Sequence, residues 1–121
     1  MFSTDQEVGF AVTPLADCPH CASVSLLPNV VLDPFAQCET CHNVGENMQC
    51  LTCFAVMCGR HVQSHMLQHH DATKHPLVIG FADLSIWCYP CESYIDSKNT
   101  HLSLTHRLLY NAKFNSEENA T

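Results

Sequence analysis

Residues 50–70 have the sequence CLTCFAVMCGRHVQSHMLQHH, in which thiol and imidazole side chains recur at the spacing of metal ligands. A Cys-x-x-Cys pair opens the stretch, Cys58 follows it, and His65 and His69 then stand four residues apart. Residues four apart on a helix are neighbours on one side of it. The second half of the stretch has no proline and ends before turn-forming residues, so it predicts a helix from about Arg60 to His69 that presents both imidazoles on one side.

Three more Cys-x-x-Cys pairs occur in the chain. The tight turn between the cysteines of such a pair can aim both sulfurs at one tetrahedral Zn²⁺, at about 2.3 Å. With one further cysteine and three histidines, the four pairs supply twelve ligands, enough for three four-coordinate zinc sites. Spacing leaves the assignment open, because Cys18-Pro-His-Cys21 offers either Cys18 with Cys21 or Cys18 with His20. The candidates are Cys18, Cys21, Cys38, Cys41, Cys50, Cys53, Cys88 and Cys91 from the pairs, with Cys58, His65, His69 and His75.

Nine cysteines and nine histidines in 121 residues could serve a disulfide scaffold, a redox centre or bound metal. An odd number of cysteines cannot pair completely within one chain, and isolated redox motifs do not recur four times. Met1–Glu7 is acidic and polar and shows no signal peptide, and the longest apolar run, Pro76–Ala82, is far shorter than the roughly 20 residues that a bilayer needs. We therefore expect zinc-bound thiolates, an intracellular location in the cytoplasm or nucleus, and no membrane partner.

The chain is acidic, with five Lys and Arg against twelve Asp and Glu and a formal net charge of −7. Eight ionised thiols and three bound Zn²⁺ would move this charge to about −9. Nucleic-acid binding needs a patch of basic residues, whereas the five basic residues here are scattered along the chain. The composition therefore argues against a nucleic-acid partner and favours a basic or neutral peptide.

The chain has the length of one domain. We expect a flexible N-terminus over residues 1–13, a zinc-binding domain over residues 14–114 and a flexible tail over residues 115–121. Two apolar runs, Leu77–Phe81 and Leu84–Trp87, predict a hairpin that leads into the last Cys-x-x-Cys pair.

The remaining segments are less regular. Ser23–Phe35 contains two prolines and predicts irregular chain with a short strand at Val30–Leu32. A closing helix is predicted from about Thr100 to Ala112, with Asn99 or Thr100 as its cap. Helices and short strands in one small domain place the chain in the α+β class.

The order of the motifs carries a resemblance to a known family. The motifs are Cys50-Leu-Thr-Cys53, Cys58-Gly-Arg60, His65-Met-Leu-Gln-His-His70, His75-Pro-Leu77 and Trp87-Cys-Tyr-x-Cys-x-x-Tyr94. From about Cys18 to Tyr94 the chain resembles the ubiquitin-binding zinc finger of ubiquitin-specific proteases, and it looks most like the version in the cytoplasmic, tubulin-directed histone deacetylase. The resemblance implies a short twisted antiparallel sheet packed on helices, with three structural zinc sites.

The resemblance also assigns ligands to sites. It makes Cys21 the surplus ninth cysteine and lets the central helix serve two metals. A buried thiol is the ordinary interpretation of Cys21, since a nucleophile would need a histidine and an acid of its own. The implied sets are Cys18, His20, Cys88 and Cys91 for the first zinc, Cys38, Cys41, Cys58 and His65 for the second, and Cys50, Cys53, His69 and His75 for the third.

Members of this family bind the free C-terminal Gly-Gly tail of ubiquitin in a narrow pocket, so the resemblance implies a non-catalytic binding module with ubiquitin as its partner. A planar guanidinium suits a carboxylate, and Arg60 follows Gly59 at the predicted helix start, where the helix potential adds to the attraction. A Gly-Gly tail offers only backbone, so selectivity must come from walls too close for a side chain. The residues implied to bind the tail are Arg60, Trp87, Tyr89, Tyr94, His61 and Met48.

Two positions depart from the deacetylase version. Met48 stands where that version has a tryptophan, and it lacks the flat face on which a guanidinium stacks, an interaction of roughly 0.5–2 kcal/mol. We therefore expect weaker binding, by about tenfold if about 1.4 kcal/mol is lost. His61 replaces a tyrosine and can still donate a hydrogen bond, but imidazole changes charge between about pH 5 and 8, so we expect pH-sensitive binding.

The sequence leaves two other interpretations open. The chain could keep the zinc scaffold as an interaction platform for another protein without binding ubiquitin, for which the Met48 substitution is the best support. It could also be a zinc hydrolase or a thiol enzyme that uses Cys21, although four protein ligands on each zinc leave no position for water or substrate. We expect a monomer without catalytic activity.

Overall fold

The computed structural model describes residues 14–24, residue 30 and residues 32–119, and for residues 115–119 it describes the backbone alone. Within these residues the chain forms five strands and two α-helices, preceded by one turn of 3₁₀-helix at Cys21–Ser23. This confirms the α+β class. The elements are β1 (Asn47–Cys50), β2 (Val56–Cys58), α1 (His65–Thr73), β3 (Leu77–Gly80), β4 (Ile86–Cys88), β5 (Ser93–Ile95) and α2 (Ser103–Asn119).

The five strands form one antiparallel sheet in the order β2-β1-β3-β4-β5. Met48 on β1 pairs with Gly80 on β3. Trp87 on β4 pairs with Val78 on β3 and with Tyr94 on β5. Paired residues point the same way and side chains alternate along each strand, so these five residues share one face of the sheet.

The opposite face carries the main hydrophobic core, which α2 covers. Its sheet residues, with Leu102 just before α2 and Leu109 on α2, are at most 3% exposed. On the other face, α1 places the fully buried Met66 against Val78 and Cys50. The sheet is therefore covered on both faces, which explains why β3 has the continuously apolar sequence LVIG. The core residues named here are Leu77, Ile79, Ile86, Ile95, Leu102 and Leu109.

The central helix differs from its predicted bounds of Arg60 to His69. Ser64, just before α1, has a left-handed φ of 57°, which excludes a right-handed helix that continues through it. The backbone N–H groups of Val62 and Ser64 both donate to the carbonyl of Gly59, closing a turn. The prediction that Arg60 lies at a helix N-terminus is therefore wrong, because Arg60 lies on this turn and α1 starts at His65.

The predicted hairpin is confirmed as β3 and β4. The predicted closing helix is also present, although α2 runs from Ser103 to Asn119, later at both ends than predicted and into the segment expected to be a flexible tail. The predicted cap, Asn99 or Thr100, lies before the observed helix start: Asn99 closes the turn that leads into α2, where its side-chain oxygen accepts from the backbone N–H of His101 and its backbone carbonyl accepts from that of Ser103.

Some expectations concern residues that are not described. Residues 1–13 and Val31, the middle of the predicted strand Val30–Leu32, lie outside the described part. Among the described residues, neither helix combines the length and the apolar character needed to cross a bilayer.

Candidate functional site

Three groups of four Cys and His side chains bring their donor atoms within 4.8 Å of one another. All nine cysteines lie in the described residues, and none forms a disulfide. The structure assembles the same three sets that the resemblance implies. They are Cys18, His20, Cys88 and Cys91; Cys38, Cys41, Cys58 and His65; and Cys50, Cys53, His69 and His75.

Zinc fits these groups in both chemistry and geometry. Two sulfurs at about 2.3 Å from a tetrahedral centre lie about 3.8 Å apart, and a sulfur and an imidazole nitrogen lie about 3.5 Å apart. The Sγ atoms of Cys18 and Cys88 are 3.8 Å apart, and those of Cys41 and Cys58 are 3.9 Å apart. The sulfur-to-nitrogen distances in the three groups run from 3.3 to 3.7 Å. Each group is therefore a four-ligand site for one structural Zn²⁺.

The first group joins two segments that are far apart in the chain, and it resolves the ambiguous N-terminal motif. His20 Nδ1 lies 3.3 Å from Cys88 Sγ and 3.5 Å from Cys91 Sγ, so His20 completes the set. Cys21 lies outside the four ligands, with its Sγ 3.6 Å from that of Cys18. Burial raises the pKa of the Cys21 thiol to about 12, which keeps it protonated beside the ligands.

The other two groups each take one histidine from α1. His65 and His69, one turn apart on α1, each enter a different group, so one helix serves two metal sites. Burial and the neighbouring His75 lower the pKa of His69, which favours the neutral imidazole that metal binding requires. Burial alone would raise the pKa of Cys38, but hydrogen bonds from backbone N–H groups outweigh it and lower this pKa to about 6, favouring the thiolate.

A pocket of about 440 Å³ opens on the sheet face that carries Met48 and Trp87, next to the turn between β2 and α1. Its lining combines residues of that turn, of the strands and of α1. All six residues implied to bind a ubiquitin tail line this one pocket: Met48, Arg60, His61, Trp87, Tyr89 and Tyr94.

The turn comes close to the sheet at Gly59. The Gly59 N–H donates to the carbonyl of Glu46 over 2.9 Å, and a Cβ at Gly59 would lie 3.1 Å from that oxygen. Only glycine therefore fits without moving the backbone, and this contact sets Arg60 at the edge of the pocket. On the other side, the rings of Trp87 and Tyr94 pack edge to face, with centroids 4.9 Å apart and planes 71° apart.

Comparison with known proteins assigns the family. The family model described as "Zn-finger in ubiquitin-hydrolases and other protein" matches residues 38–100, more than half of the chain. The chain belongs to this zinc-finger family. Its matched range contains the second and third zinc groups, all five strands and α1, while the first group also needs Cys18 and His20 from outside it.

Similar proteins carry this zinc finger within longer chains. Histone deacetylase 6 of Caenorhabditis elegans is 43% identical over 91 residues, which are 75% of this chain and 10% of the relative. Ubiquitin carboxyl-terminal hydrolase 44 of Xenopus tropicalis is 33% identical over 85 residues, 69% of this chain and 13% of the relative. The chain thus spans only a small part of these relatives. The solution structure of protein RPA1320 from Rhodopseudomonas palustris matches with a TM-score of 0.54 and 28% identity, over 66% of this chain and 81% of that one.

Sequence reasoning missed several residues of the pocket of this zinc finger. Met66 and Leu67 of α1 and Asp83 and Ser85 of the β3–β4 turn also line it. The Asp83 carboxylate accepts from the backbone N–H of Ser85 over 3.0 Å and from its hydroxyl over 2.8 Å, which fixes an acidic group at the pocket. An Asp followed two residues later by Ser is a turn signal, but it does not show which surface the turn faces.

The tyrosine nearest the third zinc group has a distinct environment. Burial raises the pKa of Tyr89, and the nearby charge of Asp71 adds to the effect. Its hydroxyl therefore remains protonated at neutral pH and can donate a hydrogen bond. Tyr89 packs with Trp87 against the small cluster formed by Cys50, Met66 and Val78, so the pocket wall and the zinc-bearing helix share one hydrophobic contact.

Proposed function

We propose that this zinc finger binds the free C-terminal Gly-Gly carboxylate of ubiquitin in the pocket beside Arg60, without catalysing a reaction. The observation that carries this proposal is the joint placement of Gly59, Arg60 and Trp87 around one pocket. It combines a guanidinium, an aromatic wall and a backbone that lies too close to the sheet to carry a side chain. These are the features that a ligand with a terminal carboxylate and no side chains requires.

The polar groups of the pocket suit an extended peptide backbone. Backbone recognition needs donors and acceptors that do not depend on ligand side chains. The hydroxyl of Tyr89 is held as a donor by its raised pKa, and Tyr94 and His61 line the same pocket. We assign these three side chains to the backbone of the tail, and Met48 with Trp87 to its flat faces.

The charges at the pocket also fit the tail. In the family, the ubiquitin residues that precede the glycines are basic. Glu46 and Asp83 line the pocket, and the zinc-loaded chain carries a net charge of about −9. Opposite charges accelerate encounter and fix orientation, so a carboxylate at Arg60 and basic residues near Glu46 and Asp83 define one direction of binding.

The zinc ions have a structural role in this proposal. Each group already supplies four protein ligands, which leaves no coordination position for water or substrate. The metal sites therefore hold the turn, α1 and the last knuckle in place, and a monomer inside the cell is the form we expect to bind. Neither nucleic acid nor a membrane has a place in this mechanism.

A second candidate function is a zinc scaffold that binds another protein and not ubiquitin. The observation that favours it is Met48, which lines the pocket where the deacetylase version has an aromatic ring. A methionine wall can follow the shape of many apolar ligands.

One titration separates the two functions. The zinc-loaded protein is titrated by calorimetry with ubiquitin and with ubiquitin that lacks its last two glycines. Specific tail binding predicts saturable binding of intact ubiquitin and an affinity for the truncated ubiquitin that is lower by at least about tenfold. Arg60→Ala should cause a comparable loss, while Arg107→Ala, the exposed arginine of α2, should cause none. Equal affinity for both ligands, or an unchanged Kd in Arg60→Ala, would reject the proposal.

A further inference from the structure

A second concavity lies beside the tail pocket, and we call it the apolar recess. It has a volume of about 300 Å³, and its lining includes Pro34, Phe35, Val44 and Phe81. Phe81 is almost completely buried and forms its floor, whereas Phe35 is 48% and Val44 56% exposed. Val44 is the most exposed large apolar side chain in the described part of the protein. Two such side chains in one concavity indicate a contact surface rather than scattered surface residues.

The apolar recess is continuous with the tail pocket. Glu46 and Ala82 line both cavities. The chain connects them as well, because Glu46 stands between Val44 and Met48 and Ala82 directly follows Phe81. A polypeptide that leaves the tail pocket over Glu46 therefore enters the recess.

The walls of the apolar recess are held in place by one buried amide. Asn47, which is 1% exposed, donates through Nδ2 to the carbonyl of Ala36 over 2.9 Å and to the carbonyl of Asn43 over 2.6 Å. These carbonyls adjoin Phe35 and Val44 in sequence. The Asn47 carbonyl accepts from the backbone N–H of Phe81 over 2.9 Å, so one residue ties both walls and the floor together. A recess fixed in this way loses little conformational freedom when it binds a side chain.

We propose that the apolar recess is a second subsite of the same interface and receives an aliphatic side chain that lies shortly before the glycine pair of the ligand. This inference rests on the proposed function, since it needs the carboxylate at Arg60 to set the direction of the ligand. An extended peptide advances about 3.3–3.6 Å per residue and alternates its side chains, so one residue crosses the rim at Glu46 while a neighbour points into the recess. Glu46 on the shared rim favours a basic residue at the crossing, while the ammonium group of Lys113, which also lines the recess, donates to the carbonyls of Phe81 and Ala82.

A leucine scan of synthetic peptides tests the inference. The parent is acetyl-Arg-Ala-Ala-Ala-Ala-Gly-Gly with a free carboxylate, and leucine replaces each internal alanine in turn. We expect leucine at one position to strengthen binding by about tenfold, the effect of burying a side chain of this size. A flat scan with a parent peptide that binds would overturn the subsite and leave the proposed function standing. A parent peptide that does not bind at all would remove both.

Matched variants of the protein test whether the affinity gained with leucine comes from the apolar recess. Phe35→Ala and Val44→Ala should each abolish most of the leucine effect and leave the Kd of the parent peptide unchanged. Phe114→Ala is the control, because Phe114 is a comparably exposed phenylalanine on α2 that does not line the recess. Zinc content and melting temperature show whether each variant is folded. If Phe35→Ala does not fold, Val44→Ala alone tests the inference. If leucine still strengthens peptide binding in both variants, the inference is overturned. It is also overturned if sedimentation shows a dimer that Phe35→Ala converts to a monomer, since a second copy would then occupy the recess.

Discussion

The imidazole of His70 stacks on the ring of Tyr89, with ring centroids 4.2 Å apart and planes 18° from parallel. Nδ1 of the same imidazole donates to the carbonyl of His75 over 2.8 Å, because a carbonyl can only accept. His75 belongs to the third zinc group. A histidine outside the ligand sets thus connects a metal site to the wall of the tail pocket.

We expect His70→Asn to weaken binding of the ubiquitin tail by about three- to tenfold, because the amide can still reach the His75 carbonyl but cannot support the Tyr89 ring. Zinc content by mass spectrometry should remain unchanged, which separates loss of positioning from loss of the metal site. His106→Asn is the control. His106 lies on α2 with its ring centroid 6.3 Å from that of Tyr110, and it does not line the pocket. Equal Kd values for His70→Asn and the unsubstituted protein would show that Tyr89 needs no such support.

Gly59→Ala should reduce both stability and tail binding. Its Cβ would lie 3.1 Å from the backbone oxygen of Glu46, so the turn that carries Arg60 must move. Overpacking of this kind costs about 1–3 kcal/mol, which thermal unfolding monitors. Gly80→Ala is the matched control for stability, because its Cβ would lie 3.7 Å from its nearest neighbour, the Asp83 carboxylate, an ordinary contact. If Gly59→Ala melts no lower than Gly80→Ala and binds the tail as the unsubstituted protein does, close approach at Gly59 does not position Arg60.

The zinc-ligand groups are the part of this fold that the sequence predicts best. Ligand chemistry needs particular residue types at fixed spacing, so four Cys-x-x-Cys pairs and the histidines of α1 left few arrangements. The choice between Cys21 and His20 depended on the resemblance, and the structure brings the His20 ring, and not the Cys21 thiol, into one group with Cys88 and Cys91.

The start of α1 and the shape of the pocket could not be predicted in the same way. No glycine or proline marks the end of the turn, where Ser64 has a left-handed φ of 57° and donates its backbone N–H to the carbonyl of Gly59. The wrong helix start placed Arg60 on a helix, although the proximity of Arg60 to Trp87 depends on the sheet. Asn47 and Asp83 likewise acquire their roles only when distant segments meet, which local sequence patterns do not encode.

Removal of one ligand should remove one zinc. We expect Cys88→Ala to bind two zinc ions and the unsubstituted protein to bind three, one in each group. The variant should also melt at a lower temperature, since the lost site joins residues 18–20 to the knuckle after β4. Cys21→Ala is the control, because Cys21 is equally buried and touches Cys18 but is not in the ligand set. Inductively coupled plasma mass spectrometry gives the ratio of zinc to protein. Loss of zinc from Cys21→Ala would show that Cys21 is itself a ligand.

Met48→Trp should strengthen tail binding by up to about tenfold, because an aromatic face beside Arg60 restores stacking with the guanidinium. Met48 lies on the pocket side of β1 and is only partly buried, so the larger ring can extend over the pocket. Met48→Leu keeps an aliphatic wall without an aromatic face and should leave the Kd close to its original value. Calorimetric titration with ubiquitin compares the three proteins. A gain in Met48→Leu as large as that in Met48→Trp would show that side-chain stiffness, and not stacking, controls affinity.

His61 should contribute to tail binding as a hydrogen-bond donor. It is exposed on the turn beside Arg60 and lines the pocket. His61→Phe removes the donor and should weaken tail binding by about three- to tenfold, the effect of losing one hydrogen bond. His61→Tyr is the control, because its hydroxyl can still donate, and it should keep the Kd close to the original value. Calorimetric titration with ubiquitin compares the three proteins, and an unchanged Kd in His61→Phe would show that His61 does not contact the tail.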